Sequence, residues 1–196
     1  MSPKIECSDE YLEVLIGCVD QLSKVIKGFY SIDVLLNNLL VNKIQNSSSL
    51  ELNRVSFLLK FDMSCGLGIL TKEIRPCFNN INSIRNKFAH NPYFFYDKVE
   101  QEKTKSIFLQ VQNFKRNDVI KNIDDPDEML KIAFFLCYLM VENGLKEIYR
   151  EKQAWNIVNN RMAKFLNPPG NAESSKKLDA EIEASLKIEY PKLFKC

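Results

Sequence analysis

Apolar residues recur at intervals of three and four along almost the whole chain, and this periodicity excludes most folds before composition is considered. Such spacing lines one face of a helix, whereas a half-buried strand alternates at every second residue. Leu12, Leu15, Ile16, Val19, Leu22 and Ile26 form the first stripe, read as one buried helix face that stops at Gly28. Ile32, Leu35, Leu36, Leu39, Leu40 and Ile44 form the second. The polar run 46–49 then interrupts the pattern. Ser48 with Glu51 has the spacing of a capping box opening a third helix, over about 50–72. Gly66 and Gly68 inside that helix predict a closely approaching neighbour backbone, since they otherwise only weaken it.

Pro76 suits the first turn of a fourth helix, where its missing N–H has no partner to lose. This helix should end near His90, because Asn91 precedes Pro92 and is biased away from helical angles. Asp97 with Glu100 predicts the cap of a further helix carrying Ile107, Phe108, Val111 and Phe114. Asp125-Pro126 opens a long helix through Met129, Ile132, Ala133, Leu136, Leu139 and Met140, a core or dimer-interface segment. Trp155, Val158, Met162, Phe165 and Leu166 form one more stripe. Asn167-Pro168-Pro169-Gly170 then punctuates the chain, and Leu178, Ile182 and Leu186 suggest a short, charged, amphipathic helix beyond it. The expectation is an all-α protein: a helical domain over 1–167, then a linker and C-terminal helical arm over 168–196. That arm would dock on its own domain, a second copy or a partner.

With 196 residues, 45% of them hydrophobic and 27% charged, the chain can bury a substantial core. A net charge of +2 lacks the positive excess of a dedicated nucleic-acid binder, although a local basic patch is compatible with it. Six cysteines without a C-x-x-C pair, and a single histidine, argue against a zinc site. Cys18, Cys65 and Cys137 fall within apolar helical patterns, where a thiol acts as a small hydrophobe. No secretory leader is visible, so reduced thiols in a cytoplasm are the expectation. The longest apolar run, 132–141, is too short to span a bilayer. No glycine-rich phosphate loop or paired-carboxylate site stands out, and neither metal nor cofactor is expected.

One segment carries chemistry. On a wheel of about 100° per residue, Cys77, Ile81, Ile84 and Phe88 cluster as a core face. Asn86 and His90 stack roughly opposite, with Arg85 on the flank between. The histidine therefore faces water or another molecule. These residue types suit metal-free RNA cleavage. Imidazole moves a proton near neutral pH, and a guanidinium fork stabilises the added negative charge of the transition state. Asn86 either orients the imidazole or holds a phosphate. Lys87, Asn91 and Tyr93 flank the motif as candidate substrate-binding residues. Residues 92–96 include four aromatics, which either stack unpaired bases or pack the loop against helices. The pairs Lys115-Arg116 and Lys176-Lys177 are assigned to solvated faces.

Arg85-Asn86-(three residues)-His90 resembles the R-N-x-x-x-H signature of the HEPN superfamily. The stretch 52–91, with Phe61-Asp62-Met63, Gly66-Leu67-Gly68-Ile69-Leu70 and Ile84-Arg85-Asn86-Lys87-Phe88-Ala89-His90, is similar to its mannitol-repressor-like branch. The resemblance covers about a quarter of the chain. It implies an up-and-down helical bundle working as a homodimer, with Arg85 and His90 catalytic and Asn86 supporting them. Many members are metal-independent endoribonucleases of toxin–antitoxin, phage-defence or RNA-processing systems that leave a 2′,3′-cyclic phosphate. RNA, a second copy and an antitoxin are the partners this implies. The mannitol-repressor-like branch implies the alternative, a non-catalytic regulatory or interaction protein using the same surface.

Overall fold

The computed structural model describes residues 8–112 and 114–166. These hold seven α-helices and three short 3-10 turns, with no strand among them. The chain divides into two compact units, Met1–Ile148 and Tyr149–Cys196. The helices are α1 (Ser8–Ile16), α2 (Gln21–Lys43), α3 (Phe57–Gly66), α4 (Arg75–His90), α5 (Lys98–Gln110), α6 (Asp118–Asn122) and α7 (Pro126–Leu166). The unit boundary falls inside α7. The linker and arm anticipated at 168–196 lie outside the described residues. No described helix is long and apolar enough to cross a membrane.

The first stripe is two helices rather than one. α1 stops at Ile16, and Asp20 starts α2 by accepting a 2.8 Å bond from the Ser23 N–H, satisfying a donor that a helix start leaves orphaned. The break rotates the apolar positions, so Val19 is 97% exposed and Leu22 and Ile26 stand half in solvent. Gly28 does not stop the helix either. It sits within α2, where a Cβ would lie 2.9 Å from the Phe134 ring of α7, too close for any side chain. Tyr11 donates to the Gly28 carbonyl at 3.2 Å and stacks on Tyr138 at 4.0 Å, joining α1, α2 and the start of α7.

The third helix also departs from its expectation. Residues 47–49 and 52–54 form 3-10 turns, and α3 begins only after Ser56, whose Oγ accepts from the Leu59 N–H. The pair expected to open the third helix thus falls among these turns, ahead of α3. Gly68 adopts φ +72°, the left-handed geometry that ends a helix, and its N–H returns to the Cys65 carbonyl at 3.0 Å. Nothing stands within 4 Å of a Cβ built at Gly66 or Gly68. Gly68 is therefore explained by backbone conformation, not by a crowding neighbour. Close approach is met instead at Gly144, hemmed in by Ile69, Leu39 and Leu70.

The core of the first unit joins Val25, Ile32, Leu35, Leu36 and Leu39 of α2 to Phe61 of α3, Cys77, Phe78, Ile81 and Ile84 of α4, and Phe134 and Cys137 of α7. Burial pushes the Cys77 thiol up to about 12 and raises that of Cys137 as well, so both are inert fillers. Two lysines lie inside this core. Lys60 gives both oxygens of Asp33 bonds of 2.7 Å, and Lys24 reaches Asp127 at 2.7 Å. A buried ammonium without its carboxylate would be very costly, so these pairs fix α3 and the start of α7 against α2. Burial pushes the Asp127 carboxyl up, but bonds from Lys24 and Lys131 outweigh that and hold it below its ordinary value.

Candidate functional site

α4 positions the motif, and its boundaries follow from its own sequence. The turn 72–74 leads straight in, and Pro76 occupies the first turn. Asn91 ends the helix in extended geometry, φ −130° and ψ 102°, as the following proline requires. The Asn91 side chain then serves the exit turn, its Oδ1 accepting from the Tyr93 N–H at 3.0 Å. Phe94 meets Phe88 edge-on at 4.8 Å. Tyr96 is buried, and Gln21 both donates to its carbonyl and accepts from its N–H, at 3.1 and 2.9 Å. The aromatic run thus alternates: Phe94 and Tyr96 pack inward, while Tyr93 (93% exposed) and Phe95 point out.

Along α4, Cys77, Phe78, Ile81 and Ile84 face the core, and Phe88 is half-buried. Asn80 is buried too, its Oδ1 accepting from the Thr104 hydroxyl of α5 at 3.2 Å. Arg85 and His90 are exposed and Asn86 half-buried. The five-residue step from Arg85 to His90 turns the helix by about 140°, so the two side chains leave on different sides. Arg85 leans toward α2, its guanidinium 5.6 Å from the centre of the Phe29 ring, within cation–π range. Its Nη1 donates to Asn86 Oδ1 at 3.0 Å. Asn86 therefore touches the arginine rather than the imidazole. The His90 imidazole has no hydrogen-bond partner among the described residues.

Two open hollows flank this ridge. The first, about 450 Å³, lies between α2 and α4, with Leu22, Ile26, Phe29, Tyr30 and Asp33 on one wall and Arg85, Phe88 and Ala89 on the other. The second, about 480 Å³, follows the outer face of α4 and is lined by Asn79, Asn82, Ser83, Asn86, Lys87 and His90, with Leu58 of α3. Lys87 borders it, but its ammonium pairs with Glu100 of α5 and lies 5.4 Å from the Phe94 ring centre. That lysine is thus shared with the packing of α4 on α5. One trio of carboxylates close enough to share a cation occurs among the described residues, Asp125, Asp127 and Glu128. It is already engaged: Lys24 and Lys131 bond to Asp127, and Lys131 to Glu128.

The structure brings Arg85 and Asn86 together, leaves His90 pointing out on the same helix, and sets Lys87, Asn91 and Tyr93 around the exit. It adds residues that spacing did not mark. Phe29, 56 positions before Arg85, lies under the guanidinium, and no local pattern announces such a contact. Asn79, Asn82 and Ser83 share the hollow with His90, and the density of asparagine in α4 was their available signal. Compared with known protein families, curated proteins and solved structures, the chain finds no match.

Proposed function

We propose that this chain is a metal-independent endoribonuclease of the HEPN type, a toxin or phage-defence effector, acting as a homodimer. The observation that carries the reading is the outward-facing pair on α4: a solvent-exposed imidazole, about 140° around the helix from a guanidinium held by Asn86 and Phe29. With a single histidine per chain, an imidazole base and an imidazole acid can act together only when two copies meet. The half-exposed apolar residues Leu22, Ile26 and Tyr30 beside Arg85 give a second copy a surface to cover.

In this reading one His90 takes the proton of a ribose 2′-hydroxyl, and the oxygen attacks the adjacent phosphorus. The second His90 gives a proton to the departing 5′-oxygen, leaving a 2′,3′-cyclic phosphate and a 5′-hydroxyl. Arg85 neutralises the charge gathered on the phosphoryl oxygens, a role for which its planar fork is suited. Asn86 holds that fork in place. An antitoxin or regulatory protein would silence the site by covering the same ridge.

The test is cleavage of structured and single-stranded RNA in EDTA by the wild type and by His90→Ala. Cyclic-phosphate ends and a loss of about 10²–10⁴-fold in the variant are the expected outcome. No cutting by a folded wild-type dimer would overturn the enzyme reading. The same apolar strip beside Arg85 also fits a protein partner, and that result would favour a non-catalytic, mannitol-repressor-like regulator binding through this face.

A further inference from the structure

The outer face of α4 holds more polar chemistry than the proposed cleavage step uses. Asn79, Asn82, Ser83, Asn86 and His90 fall within an arc of about 100° and climb about 16 Å along the helix. All five line the one hollow of about 480 Å³. Asn79 and Ser83 are exposed and Asn82 is half-buried, and no side chain of the three has a hydrogen-bond partner among the described residues. Asn80, by contrast, is accounted for by its buried bond from Thr104.

Asparagine and serine are poor choices for the exposed middle of a helix, because their side chains compete for backbone hydrogen bonds. On α5, which α4 packs against, the exposed positions carry Lys98, Val99, Glu102, Lys103, Ser106 and Gln110. What distinguishes α4 is that three asparagines, a serine and the histidine line one hollow. Local choices that work against their own element mark functional surface. An amide presents a donor and an acceptor together, and a hydroxyl does the same. That combination matches the backbone of RNA, in which phosphate acceptors alternate with 2′-hydroxyls that donate.

Resting on the ribonuclease reading, we infer that Asn79, Asn82 and Ser83 form a track that holds the ribose–phosphate backbone of single-stranded RNA as it approaches His90. The track is uncharged. It positions the strand and separates RNA from DNA, while Arg85 supplies the salt-dependent attraction.

The experiment uses fluorescence anisotropy with a fluorescein-labelled oligoribonucleotide of mixed sequence and its deoxyribose counterpart. His90→Ala serves as the parent so that the strand stays intact, and Asn79→Ala, Asn82→Ala and Ser83→Ala are added together. The parent should bind the RNA more tightly than the DNA. The added changes should weaken RNA binding at least tenfold, down to the DNA level, without altering the slope of log affinity against log salt. Arg85→Ala should instead flatten that slope by about one. In the wild-type background the triple change should raise KM at least tenfold and leave kcat within twofold. Circular dichroism checks the fold of each variant. Unchanged RNA affinity and KM in a protein that still cuts would overturn the track alone, and so would an equal loss on both strands. A parent that binds neither strand, with a wild type that does not cut, would overturn both readings.

Discussion

The two sides of α4 differ in kind. Toward α2 the helix offers Arg85, Phe88 and Ala89 to an apolar wall whose far end holds Asp33, pinned by the buried Lys60. Its outer face offers amides, a hydroxyl and the imidazole, with Leu58 of α3 beside them. One helix thus presents a side fit for burial and a side fit for hydrogen bonding, turned roughly a quarter-turn or more apart. The difference separates two requirements that a short motif confounds. Association of copies draws on apolar area, whereas holding a hydrated polymer draws on donors and acceptors that stay wet.

Lys60→Met attacks the α2 side at its foundation. It leaves Asp33 without its ammonium, and urea unfolding should show a loss of about 2–3 kcal/mol, at or below the low end for halving a buried pair because Asp33 keeps some solvent. An unchanged midpoint would mean the pair does not brace that wall. Ile26→Glu places a charge on the same side at a half-exposed position, where the fold of one chain should tolerate it. Sedimentation should show association weakened about a hundredfold, roughly 2.7 kcal/mol, with cleavage falling in step. A dimer that persists would move the contact elsewhere. The smallest effect has the opposite sign. Asn79→Ala, Asn82→Ala and Ser83→Ala should each raise stability by about 0.5 kcal/mol, because alanine suits an exposed helix position better. Thermal melting that falls instead would show that the outer face is structural, erasing the contrast between the two sides.

Helix identity was legible from spacing wherever a cap and a stripe agreed. Asp97 caps α5 with bonds of 3.0 Å to Val99 and Glu100, and Pro76 and Pro92 bracket α4 as local backbone rules require. The same reasoning misjudged 12–28 and 50–72. In the first, apolar residues that stay exposed mimic a continuous core stripe, and Asp20 was passed over as a cap. In the second, 3-10 turns occupy 47–49 and 52–54, and Ser56 caps a helix that starts later. At the site, Arg85, Asn86 and His90 were visible as residue types at a spacing. The Phe29 ring beneath Arg85 and the Glu100 partner of Lys87 were not, because each depends on elements brought together by folding.

The sequence by itself determined that this protein is helical, where α4 begins and ends, and that its single histidine leaves the core side of that helix. Those properties rest on period, on proline and on caps, all set by residues within a turn or two of one another. Only the tertiary structure decided that Gly28 is a packing site, that Lys24 and Lys60 are buried and paired to part-exposed carboxylates, and that the ridge separates an apolar groove from an amide-bearing face. Packing decides these because burial and pairing depend on neighbours many residues away, which no local pattern encodes.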